Sequence, residues 1–131
     1  MSHLTYWSLD LYANSMADPN NISAHLPLHP RDFLILFVLV DGELHGYGLV
    51  KAIEEESEGE VKMDPANLYR SLRRLERDGL VEERDAQEEA ERRKYYGLTR
   101  LGRRVVTAEA ARVSRLMRRA RAKKLLPESV R

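Results

Sequence analysis

Arginine and asparagine at helical spacing mark the middle of this 131-residue chain, where residues 63–79 read MDPANLYRSLRRLERDG. Leu68, Leu72 and Leu75 recur at i, i+4 and i+7 and so share one face of a helix. At about 100° per residue, the opposite face carries Ala66, Arg70, Arg73 and Arg77, flanked by Asn67, Tyr69 and Arg74. A guanidinium fork fits the O6/N7 edge of guanine, and a carboxamide fits adenine. Further on, Arg92, Arg93 and Lys94 form a cationic run of the kind that meets phosphates without choosing a sequence. The chemistry open to these residues is recognition of double-stranded DNA. Glu76 and Asp78 dilute the charge, and with no partner the same segment would be an ordinary amphipathic helix with a solvated basic face.

No other constellation offers a reaction. His25 and His29 are four apart, but Pro27 between them forbids the helix that would align two metal ligands. There is no cysteine, hence no disulfide framework and no thiolate metal site. Ser71 has no histidine base within reach in the sequence. Gly42, Gly46 and Gly48 are not followed by the Gly-Lys-Ser/Thr that a phosphate-cradling loop needs. The remaining carboxylates sit in highly charged segments and read as solvated faces. No catalytic residue, metal or cofactor is expected.

The elements that must position the arginines follow from local signals. Asp64 and Pro65 open the central helix, Asp64 by accepting a first-turn N–H and Pro65 by having none to leave unpaired. Gly79 suits the left-handed residue that closes it. Leu80-Val81-Glu82, the polar run Asp85 to Glu91, and Arg92 to Leu98 read as a hairpin in which Tyr95 and Tyr96 face opposite ways. Its acidic tip, with Asp85, Glu88, Glu89 and Glu91, would repel phosphate and is expected to point away while the basic base makes the contact. Upstream, Pro30 and Asp32 open an apolar segment, Phe33 to Val40, that reads as a buried helix, a buried strand being the alternative. Asp41-Gly42-Glu43 is a turn, and His45-Gly46-Tyr47-Gly48 begins a second helix with Tyr47, Val50 and Ile53 inward. The order predicts a mainly α fold with a small β-hairpin wing: a winged helix-turn-helix followed by a C-terminal helix.

Three strings sharpen this reading. ELHGYGLVKAIEEESEGEV, ANLYRSLRRLERDGLVEE and ERRKYYGLTRLGRR, in that order, resemble the PadR family of transcriptional regulators from about Leu28 to Leu126. The resemblance implies a homodimer that binds a palindromic operator, usually represses, and is released by a small-molecule effector. It also implies ligand pockets between subunits lined by aromatic side chains, for which Tyr6, Trp7, Tyr12 and Phe37 are the candidates. The wing departs from the family pattern, with Glu89, Ala90 and Glu91 where members often carry glycines.

The net charge of +1 conceals segregation. Residues 31–63 hold 3 Lys/Arg and 8 Asp/Glu, net −5, whereas residues 97–131 hold 11 and 2, net +9. A basic surface can therefore attract phosphate despite near neutrality. Thr99 caps a last helix running to about Leu125, on which Val106, Ala110, Val113, Leu116, Met117 and Ala120 keep to one side. That stripe must be covered, either by its own domain or by the same helix of a second subunit.

Residues 1–27 form an arm or a short helix, 28–98 the winged helix domain, 99–126 the dimerisation helix and 127–131 a tail. The longest apolar run is eight residues, short of the ~20 that span a bilayer. No signal-peptide pattern is evident, so a cytoplasmic location without membrane association is expected. The competing readings are a dimeric DNA-binding regulator, a winged helix module that binds protein, and, least supported, a small enzyme.

Overall fold

The computed structural model describes residues 21–85 and 94–127. After a single 3-10 turn, Ile22–His25, the elements are α1 (Pro30–Leu39), β1 (Leu44–His45), α2 (Gly46–Glu56), α3 (Pro65–Arg77), β2 (Val81–Asp85), β3 (Lys94–Leu98) and α4 (Arg100–Ala122). The strands form one antiparallel sheet in the order β1-β3-β2, with Leu44 opposite Tyr96 and Val81 opposite Leu98. This is the winged helix arrangement the sequence predicts, with one addition. His45, read as the start of a helix, and Leu44 before it pair along the free edge of β3 before α2 begins.

Local chemistry sets the helix ends. His29 caps α1, its Nδ1 accepting from the Arg31 N–H at 3.1 Å, and Pro30 fills the first helical position. His45 caps α2 in the same way, accepting from Gly48 at 3.1 Å. Asp64 takes the N-cap position of α3, but its side chain makes no capping bond; its carbonyl starts the helix by accepting from Leu68. α3 closes as expected: Gly79 adopts φ +78°, and Leu80 N–H donates back to the Leu75 carbonyl. Thr99 then ties the two halves together. Its hydroxyl accepts from Gly102 N–H at 2.9 Å and donates to the Gly79 carbonyl at 2.6 Å, joining the end of α3 to the start of α4. At Gly102, a Cβ would fall on the carbonyl oxygen of Leu80, so only glycine permits this approach.

The core lies where the helices meet the inner face of the sheet. Ile35, Leu36 and Leu39 of α1, Leu49 and Ile53 of α2, the three α3 leucines, and Val105 and Val106 of α4 are all buried. Tyr96 joins them at 4% exposure while Tyr95 is half-buried, the alternation expected of a strand.

The structure departs from four expectations. Tyr47 is 73% exposed, because α2 starts at Gly46 and its inward phase falls on Gly46, Leu49 and Ile53. α1 is not buried all round: α2 and α4 cover two sides, and Phe37 remains 42% exposed. Val106, expected in a seam between subunits, is 4% exposed within the protomer's own core. Glu109 is no solvated carboxylate. It is 2% exposed and accepts from Leu28 N–H at 2.8 Å and from the Arg112 guanidinium at 2.5 Å, fastening the segment before α1 to α4.

The Glu109 carboxyl titrates below its ordinary value because Arg112, and then the Leu28 N–H, favour its charged form against the opposing effect of burial. A lowered folded value means that this stabilisation is complete above the unfolded value, near pH 4.3, and fades as pH falls through the folded one. Glu109→Gln should therefore lower the melting temperature at pH 7 by on the order of 5 °C, with the gap from wild type closing towards pH 3. Thermal unfolding at both pH values is the check; an equal gap at each would show the carboxylate to be unpaired.

Candidate nucleic-acid interface

The rotation of α3 is fixed by its leucines. Leu68 and Leu72 are 0% exposed and Leu75 is 2% exposed, each contributing about 2 kcal/mol by burial. With that face inward, Arg70, Arg73 and Arg77 project into solvent. Arg70 Nη2 donates to Asn67 Oδ1 at 2.8 Å, so the fork and the carboxamide lie side by side on one turn. Tyr69 is 42% exposed and leans over Gly46, where a Cβ would overlap its hydroxyl. The missing side chain at Gly46 thus lets the first turn of α2 approach α3.

Arg74 is placed differently from its neighbours. Its Nη2 lies 2.5 Å from Asp32 Oδ1, and Asp32 is 7% exposed. The guanidinium holds the start of α1 against α3, a link that its expected role as a DNA contact did not include. The reason is positional: on a helix that buries 68, 72 and 75, position 74 falls on the flank facing α1.

In the wing, Lys94 is exposed and its Nζ lies 3.8 Å from Glu83 Oε1, a surface pair of little energetic weight. Arg92 and Arg93, with the acidic tip residues Glu88, Glu89 and Glu91, lie outside the described residues. The sequence reading passed over Arg84. It donates to Glu82 at 2.8 Å and to the Leu98 carbonyl at 3.0 Å and lies 3.5 Å from Glu43, so it braces β2 against the neighbouring strand and the turn before β1. The Glu82 hydrogen bond raises its titration further above the ordinary range, keeping the cation committed. Beneath the wing, burial pushes the Tyr96 phenol up to about 12, so it stays neutral.

One aromatic cluster also went unread. Exposed Tyr47 stacks on His45, with ring centroids 6.4 Å apart, and Tyr95 meets the same imidazole edge-on at 5.5 Å. The cluster sits at the start of α2, and its signal in the sequence was the HGY string.

Beyond the core, α4 leaves its apolar stripe open. Leu116 is 48% and Met117 39% exposed, Ala110 is exposed, and Val113 and Ala120 are half-buried. Phe37 lies beside Phe33, centroids 5.8 Å apart, on the open side of α1. Tyr6, Trp7 and Tyr12 lie outside the described residues. Among the described residues, no group of three His, Asp or Glu side chains could hold a metal ion, and no helix is long and apolar enough to cross a membrane.

Comparison with known proteins agrees with this geometry. The model of the PadR-like family of transcriptional regulators matches residues 35–108. An uncharacterized 37.1 kDa protein in transposon TN4556 of Streptomyces fradiae is 40% identical over 83 residues. That match takes in 63% of this chain, which spans only 23% of that relative's length. A PadR family transcription regulator from Clostridium difficile superposes with a TM-score of 0.60 at 25% identity, over 72% of this chain and 97% of that one. Bacillus subtilis PadR in complex with operator DNA has a TM-score of 0.53 at 23% identity, over 80% of this chain and 54% of that one, a likeness of fold.

The two arginines side by side on α3 should separate by experiment. Arg74→Ala leaves Asp32 buried without its partner and should cost about 1–2 kcal/mol of stability. Arg73→Ala, on the open face, should stay within about 0.5 kcal/mol of wild type. Urea unfolding of both variants distinguishes them; equal stabilities would remove the structural role assigned to Arg74.

Proposed function

The chain belongs to the PadR-like family of transcriptional regulators, and from that premise we infer that it binds operator DNA through α3 as a homodimer. The observation that carries this reading is the division of α3 into a buried leucine face and an open face of Arg70, Arg73 and Arg77. In helix-turn-helix docking the N-terminal half of the recognition helix enters the major groove. Asn67, Tyr69, Arg70 and Arg73 are then the base-reading set, and Arg77 lies too late to matter as much. On docking, the Asn67–Arg70 hydrogen bond is exchanged for base edges by groups already held in place. Lys94, with Arg92 and Arg93, supplies phosphate contacts that add affinity without sequence choice.

The open stripe of α4 supports the dimer. Ala110, Val113, Met117 and Ala120 follow a three-four alternation, with Leu116 beside them, and a second copy of the helix would cover them. Left in water, that surface costs about 25 cal/mol per Å². A two-fold dimer offers two recognition helices to half-sites about one helical turn apart. Occupancy of such a site represses by excluding other proteins from it. For a small-molecule effector the candidate contacts are Tyr6, Trp7, Tyr12 and Phe37, of which Phe37 is exposed on α1.

Arg70→Ala should weaken operator binding by about 1–3 kcal/mol with no loss of helix content. Fluorescence anisotropy with a duplex selected from genomic fragments measures it, and an unchanged affinity would take base reading away from this face of α3. Val113→Asp should place an unpartnered charge in the α4 seam and convert a dimer to a monomer that no longer holds the operator. Sedimentation velocity on both proteins decides this: a wild-type monomer at micromolar concentration rules the dimer out, and an intact mutant dimer moves the interface off α4.

A further inference from the structure

The ion pair between α1 and α3 occupies a cation at the margin of the reading face. Arg74 follows Arg70 by four residues, so the two side chains leave α3 only about 40° apart, one turn from each other. Arg70 is open to solvent, and the Arg74 side chain is 44% exposed. A guanidinium so placed could reach the backbone of a duplex that lies along Arg70. It is instead turned to α1, where its Nη2 lies 2.5 Å from Asp32 Oδ1. The two partners are unequally covered, for the Asp32 side chain is only 10% exposed. A carboxylate so nearly buried depends on its counter-ion, because losing it leaves a charge that water can hardly reach. A phosphate at the edge of a groove stays wet, and its pull on one more arginine is modest. The burial of Asp32 thus weights the exchange, and Arg74 keeps its carboxylate when DNA arrives.

We propose that Asp32 is a positioning residue that withholds Arg74 from the duplex and so limits how tightly the protein binds DNA of any sequence. This rests on the reading of α3 as the DNA-binding helix. A guanidinium beside the groove meets the sugar-phosphate backbone, and a backbone contact carries no base choice, so it adds to operator and random duplex alike. Holding it back lowers the general affinity and leaves the ranking of sequences to Asn67, Arg70 and Arg73.

Removing the carboxylate should act in the direction opposite to structural damage. Fluorescence anisotropy across salt concentration, with operator and with random duplex, measures it. Asp32→Ala should bind both about fivefold more tightly at about 0.1 M salt, and its log–log salt slope should steepen by about one unit. Asp32→Asn keeps the shape of the side chain and should move both quantities the same way by less. Circular dichroism verifies the fold of each variant, and where Asp32→Ala does not fold, Asp32→Asn carries the test. The double variant Asp32→Ala/Arg74→Ala should return to wild-type affinity and slope. A folded single variant with unchanged or weaker binding and an unaltered slope overturns the proposal and leaves the pair a structural link alone. A gain that survives in the double variant also overturns it, tracing the effect to lost repulsion by the carboxylate. A double variant with a slope about one unit shallower than wild type overturns it by showing Arg74 on a phosphate already. If wild-type protein binds no duplex at all, the DNA reading itself fails and takes the proposal with it.

Discussion

Burial of Leu68, Leu72 and Leu75 sets the angle at which α3 is presented, and the use of every other residue on that helix follows from it. With the leucines at 0–2% exposure, rotating α3 by one residue would expose them and bury arginines without partners, at a cost of several kcal/mol. The apolar face therefore selects which guanidinium groups are free. Arg70, Arg73 and Arg77 are left in water, and Arg74 is turned towards α1, where Asp32 takes it.

Three further links hold the surroundings of that helix. The Asp32–Arg74 pair joins α1 to α3. Thr99 joins the end of α3 to the start of α4 through the Gly79 carbonyl, over a contact close enough that Gly102 must lack a side chain. Glu109 joins α4 back to the segment before α1. All three act between elements distant in sequence, so they hold α1, α3 and the long helix as one unit. A dimer built on the distal half of α4 would then fix the spacing between two reading faces through rigid connections.

Much of this was legible in the residues because it depends on local signals. Helix periodicity, Pro65 and Gly79 locate α3, and the apolar strings around a polar run locate the wing. What periodicity does not carry is the partner across space. Arg74 looks like Arg73 in the sequence, and only the approach of Asp32, 42 residues earlier, separates them. Glu109 looks like any charged helix residue until Leu28 and Arg112 converge on it. Tyr47 was misplaced because neighbouring helix positions differ by only about 100°, and close packing of Gly46 against Tyr69 turns Gly46, Leu49 and Ile53 inward instead. Val106 belongs to the same apolar stripe as Val113, and the sequence gives no sign of where its own domain stops covering that stripe. The aromatic candidates Tyr6, Trp7 and Tyr12 lie outside the described residues, as do Arg92 and Arg93, so these expectations stand as proposals.

The central claim is that one open face of α3, presented twice by a symmetric dimer, reads duplex DNA. Hydroxyl-radical footprinting on a selected genomic duplex tests it most directly. Two protected half-sites are expected, related by two-fold symmetry, with centres about one helical turn apart and enhanced protection where each α3 enters the major groove. A single asymmetric patch, or uniform protection that random duplex competes away equally well, would contradict the claim.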